Sequence, residues 1–481
     1  MPQYSVKVKW GKELFPNVEV NTDEEPMLFK AQLFTLTGVQ PERQKVMLKG
    51  MTLKDDDWGN IKLKDGITVL MMGSKEEDVP MEPPEKPLFL EDMNESELAT
   101  ALDLPAGLTN LGNTCYLNAT VQCLKTVPEL RDALKKFDGG LTATGSTSLV
   151  PAQSITAALR DLYESMDKGS SLPPVVLVQM MHFAFPRFAE KSQHGGFQQQ
   201  DANECWTELV RMLQQKLPAK VSTSKPRSLI EQYFGGTFDT ELKCVESEDE
   251  TPTKGKEDFL QLSCFISTEV RYMHSGLRNK MQEQITKIKY LRKSKISRLP
   301  AYLTIQFVRF FYKEKESINA KILKDVKFPL EFDAFELCTT ELQNKLTPMR
   351  EKFKENEDAA VEESRNVKDK KDKDDSNKKK MKQEPFWFPD DLGSNNSGYY
   401  TLQAVLTHRG RSSSSGHYVA WVRQKNETWI KCDDDTVSSV TSEEVLKLSG
   451  GGDWHCAYVL LYGPRILEIP DTENTNDSTA N

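Results

Sequence analysis

The stretch that most constrains this chain is a glycine- and asparagine-rich loop that runs directly into an apolar helix, at residues 107–124. Glycines give the loop the backbone freedom that a tight turn needs. Leu117, Val121 and Leu124 recur at i, i+4 and i+7, which predicts a helix with one face in the core. Cys115 falls in its first turn, where free backbone N–H groups and the helix dipole favour an anion. The pattern therefore predicts a helix that presents a thiolate nucleophile.

Cys115 differs from an ordinary core cysteine because a histidine and an acid of the right types occur later in the chain. His417 lies in Gly-His-Tyr-Val, and three consecutive acids begin at Asp433. A cysteine nucleophile, a histidine that moves the proton and an acid that orients the histidine make up a thiol hydrolase, assembled by the fold rather than by sequence. Asp433 and Asp434 both stay candidates for the acid, since spacing does not separate them. Asn110, five residues before the cysteine, is a candidate donor to an oxyanion.

Four sequence blocks resemble those of the ubiquitin-specific proteases. Gly-Leu-Thr-Asn-Leu-Gly-Asn-Thr-Cys-Tyr-Leu-Asn at 107–118 is similar to the cysteine box of that family, and Ser-Gly-His-Tyr-Val-Ala-Trp-Val at 415–422 to its histidine box. Gln-Gln-Asp-Ala-Asn-Glu at 199–204 and Leu-Pro-Ala-Tyr-Leu-Thr-Ile-Gln-Phe-Val-Arg-Phe at 299–310 are similar to two further blocks. The resemblance covers roughly 105–463. It implies an α+β, papain-like cysteine protease domain with a thumb, a palm and fingers.

The resemblance also implies the chemistry. The expected reaction is hydrolysis of the isopeptide or peptide bond at the C-terminal glycine of ubiquitin, with Cys115 as nucleophile and His417 as general acid and base. The family pattern favours Asp433 over Asp434 as the orienting acid. An inactive ubiquitin-binding scaffold is the alternative, but such a protein is expected to have a broken cysteine or histidine box, and both boxes are intact. A thiol enzyme that transfers ubiquitin forms the same thioester, but the boxes do not suggest one.

Substrate-binding candidates lie around these two boxes. The resemblance implies that Gln199 and Gln200 line the channel for the ubiquitin tail near the cysteine. Ser414, in the loop 409–416, and Tyr418, directly after the histidine, are further candidates. The loop is rich in glycine and serine and carries little packing, so we expect it to be mobile and to cover part of the channel in the free enzyme.

The N-terminal residues 1–74 predict a separate α+β unit. Its order of strand, strand, helix, strand and strand resembles ubiquitin, a β-grasp domain, but the unit has no Gly-Gly end. It is therefore not expected to be a cleavable tag. By resemblance, it docks on ubiquitin-like receptors of the 26S proteasome regulatory particle. The predicted elements are strands at 4–10 and 15–20, a helix at 27–36 that stops at Gly38, and strands at 45–49 and 68–71.

Composition sets the remaining domain limits. Residues 75–97, rich in Pro, Glu and Lys, predict a flexible linker, and the catalytic domain is expected at 98–465. Residues 349–384 are crowded with Lys, Asp and Glu and have few large apolar side chains, so we expect a disordered insertion there. Residues 466–481 predict a disordered tail.

Charge and cysteine usage exclude several function classes. A net charge of −9 argues against nucleic acid as the main partner. We see neither a signal peptide nor a run of 18 apolar residues, so we expect no membrane span and a cytoplasmic protein with reduced thiols. A lysine run at 378–380 leaves nuclear import open. Cys244 and Cys264 stand alone where many relatives carry a four-cysteine zinc site, so we expect no metal and no cofactor.

Overall fold

The computed structural model divides the chain into two compact units, residues 1–93 and 94–481, and each is treated by itself. The predicted linker at 75–97 lies outside the described residues. The described residues are 3–59, 61–74, 104–141, 150–169, 171–192, 195–220, 226–244, 251–285, 290–313, 318–367, 381–412, 415–424, 428–452 and 454–470.

The first unit is a five-stranded sheet with one α-helix. Its elements are β1 (Gln3–Trp10), β2 (Glu13–Asn21), α1 (Pro26–Thr37), β3 (Lys45–Leu48), β4 (Met51–Thr52) and β5 (Thr68–Met72). The strand order is β2-β1-β5-β3-β4, with β1 and β5 parallel and the other pairs antiparallel. This arrangement agrees with the β-grasp domain expected from the sequence.

Alternation along β1 builds the core of this unit. Val6 and Val8 have no exposed surface, whereas Lys7 between them faces solvent. α1 buries Leu33 against this sheet. The helix ends at Gly38, whose φ of 73° is the left-handed conformation of a glycine C-cap. The predicted end of the helix is therefore confirmed.

The second unit begins with helices and continues mainly with strands. Its helices are α2 (Cys115–Leu124), α3 (Pro128–Lys135), α4 (Pro151–Met166), α5 (Val175–Ala184), α6 (Ala202–Lys216), α7 (Leu229–Phe234), α8 (Met273–Lys280), α9 (Thr340–Val367) and α10 (Ser442–Leu446). Its strands are β6 (Gly236–Cys244), β7 (Thr253–Phe259), β8 (Leu262–Phe265), β9 (Gln282–Ile285), β10 (Tyr290–Arg298), β11 (Leu303–Val308), β12 (Phe310–Lys313), β13 (Ile318–Lys321), β14 (Glu331–Asp333), β15 (Met381–Gln383), β16 (Tyr399–Arg409), β17 (His417–Arg423), β18 (Trp429–Asp433), β19 (Thr436–Val440), β20 (Cys456–Pro464) and β21 (Glu468–Pro470).

An eight-stranded sheet forms the centre of this unit. Its order is β19-β18-β17-β16-β20-β11-β8, and β14 also pairs with β16. β17 starts at His417 and β18 ends at Asp433, and the two strands are antiparallel. The antiparallel pairing therefore brings the start of β17 beside the end of β18. His417 and Asp433 consequently lie at the same end of these two strands.

Both faces of this sheet are covered. Along β17, Tyr418 and Ala420 pack into the core that contains α2 and the other early helices, while Val419 and Trp421 pack into a second core on the opposite face. Every residue of α2 is buried. The helix predicted to carry the nucleophile is thus fixed on all sides, with α6 and β17 among its neighbours.

A separate four-stranded sheet, in the order β7-β6-β10-β9, corresponds to the fingers that the family resemblance implies. Residues 234–244 and 259–266 both have strand-like sequences, and the family resemblance implies that both belong to the fingers; for 259–266 this expectation is wrong. β8 lies instead in the eight-stranded sheet, parallel to β11. The finger strand is β7, whose sequence Thr-Lys-Gly-Lys-Glu-Asp-Phe has one large apolar residue and six exposed positions.

The charged segment 349–384 differs from the disordered insertion expected from its composition. α9 continues to Val367, so the prediction of disorder is wrong for 349–367. Phe353 is 5% exposed and packs edge-on against the ring of Tyr399. Arg350 pairs with Asp333 at 2.7 Å and stacks on the same tyrosine. The contacts of Phe353 and Arg350 therefore hold this part of α9 in place, although most of its other side chains are polar. Residues 368–380 lie outside the described part of the chain.

The ordered structure extends further toward the C-terminus than the sequence predicts. β21 pairs antiparallel with β15, with Lys382 opposite Ile469 and Gln383 opposite Glu468. The second unit therefore includes residues 466–470, which the sequence assigned to the tail, and 471–481 lie outside the described residues. Among the helices described, none is long and apolar enough to cross a bilayer.

Candidate active site

The loop before α2 is organised by the side chain of Asn110. Its Oδ1 accepts the backbone N–H groups of Gly112 at 3.0 Å and Thr114 at 3.1 Å. A Cβ on Gly107 would lie 2.5 Å from the carbonyl oxygen of Asp435, so only glycine fits at this close approach. The loop is thereby tied at its start to the strand end that carries the acids.

Cys115 is the first residue of α2, as the sequence predicts. The residue is 2% exposed. Its Sγ lies 3.3 Å from Nε2 of Gln199 and 3.5 Å from the backbone nitrogen of Tyr418. The sulfur therefore faces two N–H donors from parts of the chain that are remote in sequence.

His417 lies between the sulfur and an acid. Its Nε2 contacts Oδ1 of Asp433 at 2.6 Å, and the other oxygen of that carboxylate accepts a bond from Lys431 at 2.7 Å. The bond to Asp433, supported by Cys115, raises the pKa of His417 to about 10. The same bond, with help from Lys431, holds the pKa of Asp433 well below its usual range against the opposing effect of burial. The ring is therefore protonated at neutral pH.

Asp434, the second candidate acid, has a different environment. Its two carboxylate oxygens accept from the side-chain amides of Asn110 at 2.9 Å and Asn118 at 2.8 Å, and its closest approach to Nε2 of His417 is 4.0 Å. Burial raises its pKa. Asp434 thus joins the loop before α2 to α2 itself, whereas Asp433 contacts the histidine.

The structure brings Cys115, His417, Asp433 and Asn110 into one cluster, and their catalytic roles remain predictions. One N–H of the Asn110 amide is used by Asp434, so the predicted donation to an oxyanion falls to the second.

The four predicted substrate-binding residues have different surroundings. Gln199 is buried against the sulfur, and Gln200 is half-buried beside it in sequence. Tyr418 is 1% exposed, with its ring packed near His408, so its side chain has no surface for direct substrate contact. Ser414 lies outside the described residues. The described part of its loop contacts β13 through the backbone of Arg411, which accepts from Lys321 at 3.0 Å.

In the sequence, Asp201-Ala-Asn-Glu204 has the spacing of an N-cap acid with a glutamate three residues on, and Asp201 is the N-cap of α6. Asp201 accepts from the backbone N–H groups of Asn203 and Glu204, and its carboxylate also accepts the hydroxyl of Tyr458 at 2.7 Å. Burial, the largest influence, raises the pKa of Asp201. The residue therefore anchors the segment that carries Gln199 as well as capping the helix.

Three residues of the cluster are absent from the sequence predictions: Asn118, Lys431 and Tyr458. Asn118 lies one turn after the nucleophile on α2, and Lys431 lies two residues before Asp433 on the same side of β18. These spacings are signals that sequence reasoning had available. Tyr458 has no such signal, because β20 meets α6 only in the folded chain.

The remaining described histidines are predicted to be structural. Burial lowers the pKa of His408 to about 3 and of His455 to about 4, so both rings are neutral. Burial also lowers the pKa of His182. His274 lies 3.8 Å from Glu336 on another part of the unit. His194 lies outside the described residues.

Among the described residues, His417, Asp433 and Asp434 form the group whose ligand atoms lie close enough for a metal, within 4.8 Å of one another. Hydrogen bonds already engage these atoms. Cys244 and Cys264, the positions considered for zinc, lie in different sheets. A cavity of about 280 Å³ lies elsewhere, lined by residues that include Trp206, Phe234 and Thr304, and none of the candidate catalytic residues lines it.

Comparison with known proteins gives a consistent family. Residues 106–462 match the family described as ubiquitin carboxyl-terminal hydrolase. Ubiquitin carboxyl-terminal hydrolase 14 of Caenorhabditis elegans is 41% identical over 482 residues, covering 96% of this chain and 94% of that protein. Ubiquitin carboxyl-terminal hydrolase 7 of Arabidopsis thaliana is 39% identical over 484 residues, covering 97% and 100%. Ubiquitin carboxyl-terminal hydrolase 6 of Schizosaccharomyces pombe is 37% identical, covering 95% and 98%.

A solved structure shows the same fold. The chain is similar to one in the SAGA Ubp8/Sgf11/Sus1/Sgf73 DUB module bound to ubiquitin aldehyde, with a TM-score of 0.51 and 20% identity. The match covers 75% of this chain and 69% of that one.

Proposed function

Because this chain belongs to the ubiquitin carboxyl-terminal hydrolase family and is a cysteine deubiquitinase, we propose that Cys115 is the nucleophile with which it releases ubiquitin from conjugates at the proteasome. The observation that carries the assignment is the contact chain from Cys115 through His417 to Asp433. Cys115 contributes to the raised pKa of His417, and the histidine contacts Asp433 at 2.6 Å.

The first step is attack on the scissile amide. The thiolate of Cys115 adds to the carbonyl carbon of the terminal glycine, and the negative charge moves to the carbonyl oxygen. When this intermediate collapses, the carbon–nitrogen bond breaks and His417 gives its proton to the leaving lysine amine. The raised pKa of His417 supports this role, since the ring holds that proton at neutral pH.

The second step restores the enzyme. Water adds to the thioester carbon while His417, now neutral, takes a proton from it. The carbon–sulfur bond then breaks, which releases the carboxylate of ubiquitin and returns the thiolate. Asp433 holds the ring in one orientation through both steps and stabilises its charged form. Lys431 holds the second oxygen of that carboxylate.

The assignment is tested with Cys115→Ala and a ubiquitin–fluorophore amide. Turnover should vanish while ubiquitin binding stays close to that of the parent, because the nucleophile is a small part of the contact area. Cys123→Ala, a buried cysteine on the same helix, is the matched control and should keep turnover. A parent protein that binds a ubiquitin–aldehyde probe without turnover or adduct is instead an inactive scaffold. Turnover by Cys115→Ala contradicts the assigned nucleophile.

The second part of the proposal is that the protein associates with the proteasome through its first unit. The first unit exposes an apolar sheet face, with Leu70 39% and Met72 53% exposed on β5 and Met51 43% exposed on β4. Leu70 lies opposite Met47 in the sheet. A domain that resembles ubiquitin and carries such a face suits a ubiquitin receptor of the regulatory particle. Cytoplasmic location follows from the same proposal, with nuclear location as the alternative.

The docking proposal is tested with single charges on the first unit. Leu70→Asp places a carboxylate on the sheet face and should weaken co-sedimentation with proteasomes, while hydrolysis by the free protein stays unchanged. Leu28→Asp makes the same change on α1, where Leu28 is 57% exposed, and should co-sediment like the parent. Equal co-sedimentation of all three proteins would argue against docking through this sheet face.

A further inference from the structure

The amide of Gln199 contacts the nucleophile directly. Its Nε2 lies 3.3 Å from Sγ of Cys115, and its Oε1 lies 3.7 Å from the same sulfur. Gln199 is 7% exposed, so water does not compete for this contact. A hydrogen bond to a charged acceptor is stronger in such surroundings than in water.

Anchors on both sides hold Gln199 in position. Two residues before it, the carbonyl oxygen of Phe197 accepts from Nδ2 of Asn113 at 2.8 Å, which ties this segment to the nucleophile loop. Two residues after it, Asp201 accepts the hydroxyl of Tyr458. The amide is therefore in place before substrate arrives, and its use in catalysis costs little reorganisation.

The position suits the charge that the reaction creates. An oxyanion formed on the carbon bonded to Sγ lies two bonds from the sulfur, so the amide of Gln199 is close to the place where this charge forms. Asn110 offers one amide N–H at most, since Asp434 accepts the other. A second side-chain amide at the sulfur would complete the set of donors.

We propose that Gln199 is a catalytic residue, whose carboxamide donates to the thiolate of Cys115 at rest and to the oxyanion during attack on the scissile carbonyl. The proposal rests on Cys115 being the nucleophile. It differs from a role in gripping the ubiquitin tail, because the interaction strengthens as charge develops. It therefore contributes to kcat rather than to KM.

The test replaces Gln199 with Met, which keeps the chain length and apolar volume but has no N–H donor. We expect kcat on a ubiquitin–fluorophore amide to fall about 10²- to 10³-fold with KM almost unchanged. Gln198→Met, at the adjacent exposed glutamine, is the matched control and should keep the parental kcat. Ubiquitin affinity measured in the Cys115→Ala background should be equal with and without Gln199→Met.

Each outcome separates the alternatives. A rise in KM with parental kcat makes Gln199 a tail-binding residue and overturns the proposal, as do equal losses in the two methionine variants. If Gln199→Met unfolds, Gln199→Glu has the same shape, lacks the donor while ionised, and should show the same loss of kcat. Full kcat in either folded variant, with Cys115→Ala inactive, overturns this inference alone. Turnover by Cys115→Ala overturns the proposed nucleophile and this inference together.

Discussion

Alanine substitution of the two adjacent acids should have different effects, although both carry the same charge and are neighbours in sequence. Asp433→Ala removes the carboxylate that contacts His417 at 2.6 Å. A hydrogen bond to a charged group contributes about 1.5–3 kcal/mol. If the transition state loses this amount, kcat falls about 10- to 150-fold. Stability should change less, because Lys431 and His417 are partly exposed and regain water.

Asp434→Ala removes a different set of contacts. The amides of Asn110 and Asn118 both lose their acceptor, at a site where Asp434 is mostly buried. Two bonds of this kind contribute about 3–6 kcal/mol to the free energy of unfolding. For a unit of this size the expected fall in the melting temperature is about 4–7 °C. Some kcat should be lost as well, because Asn110 organises the loop that leads to Cys115, the proposed nucleophile.

The two variants are compared by thermal unfolding and by hydrolysis of a ubiquitin–fluorophore amide at a temperature where both are folded. Asp433→Ala should show the larger loss of kcat and Asp434→Ala the larger loss of melting temperature. The reverse, in which Asp434→Ala melts like the parent but loses more kcat, would show that the second acid orients the histidine.

Further predictions concern the charge on the histidine, a buried cation and the long helix. The pKa of His417, about 10, predicts a ring that stays protonated at pH 7.5 in an NMR titration, and Asp433→Ala should bring the midpoint down toward about 6.5. Because folding raises the pKa of His417, the stability that the His417–Asp433 pair contributes is complete below about pH 6.5 and is lost as the pH rises toward 10. A titration midpoint near 6.5 for His417 in the parent protein contradicts this. Arg309 is fully buried and donates to four backbone carbonyls, so Arg309→Met should lower the free energy of unfolding by about 4 kcal/mol in denaturant titration, and a change below about 1 kcal/mol refutes that role. Phe353→Ala should cost about 3–5 kcal/mol if α9 is packed as described, whereas a disordered segment predicts no change.

The sequence predicted a helix or strand correctly where the spacing of its apolar residues fitted only one kind of element. The apolar spacing of 117–124 predicted α2, and the alternation in 4–10 predicted β1, because each pattern fits one kind of element. The sequence did not predict the elements whose structure depends on contacts with distant parts of the chain. β7 is a strand through pairing with β6, although its side chains are charged. Phe353 and Arg350 order a segment whose average composition predicted disorder.

The residues of the candidate site were likewise predicted only in part from the sequence. Residue type and context singled out Cys115 and His417, because a cysteine at a predicted helix start is followed later in the chain by a histidine and by acids, in blocks that resemble one family. The two acids could not be told apart, since a carboxylate has the same chemistry at either position and the contact to His417 depends on the backbone. The contact of Gln199 with the sulfur depends on two anchors in other elements, which no local pattern reports.

The parts of this site lie very far apart along the chain. Asn110 and Asp434 are separated by 324 positions, and Cys115 and Tyr418 by 303. A ribosome that adds about 5–20 residues per second needs roughly 15–60 s to cover such a distance. During that interval α2, buried on every side in the finished protein, has no β17 to pack against. The apolar surface of α2 is then open to other nascent chains and to chaperones, while its thiol still lacks the histidine and acid of the finished site. If Cys115 acts with His417 and Asp433 as proposed, hydrolytic activity arises only when synthesis is nearly complete, and a chain that stops short of residue 417 carries the cysteine without the histidine and the acid.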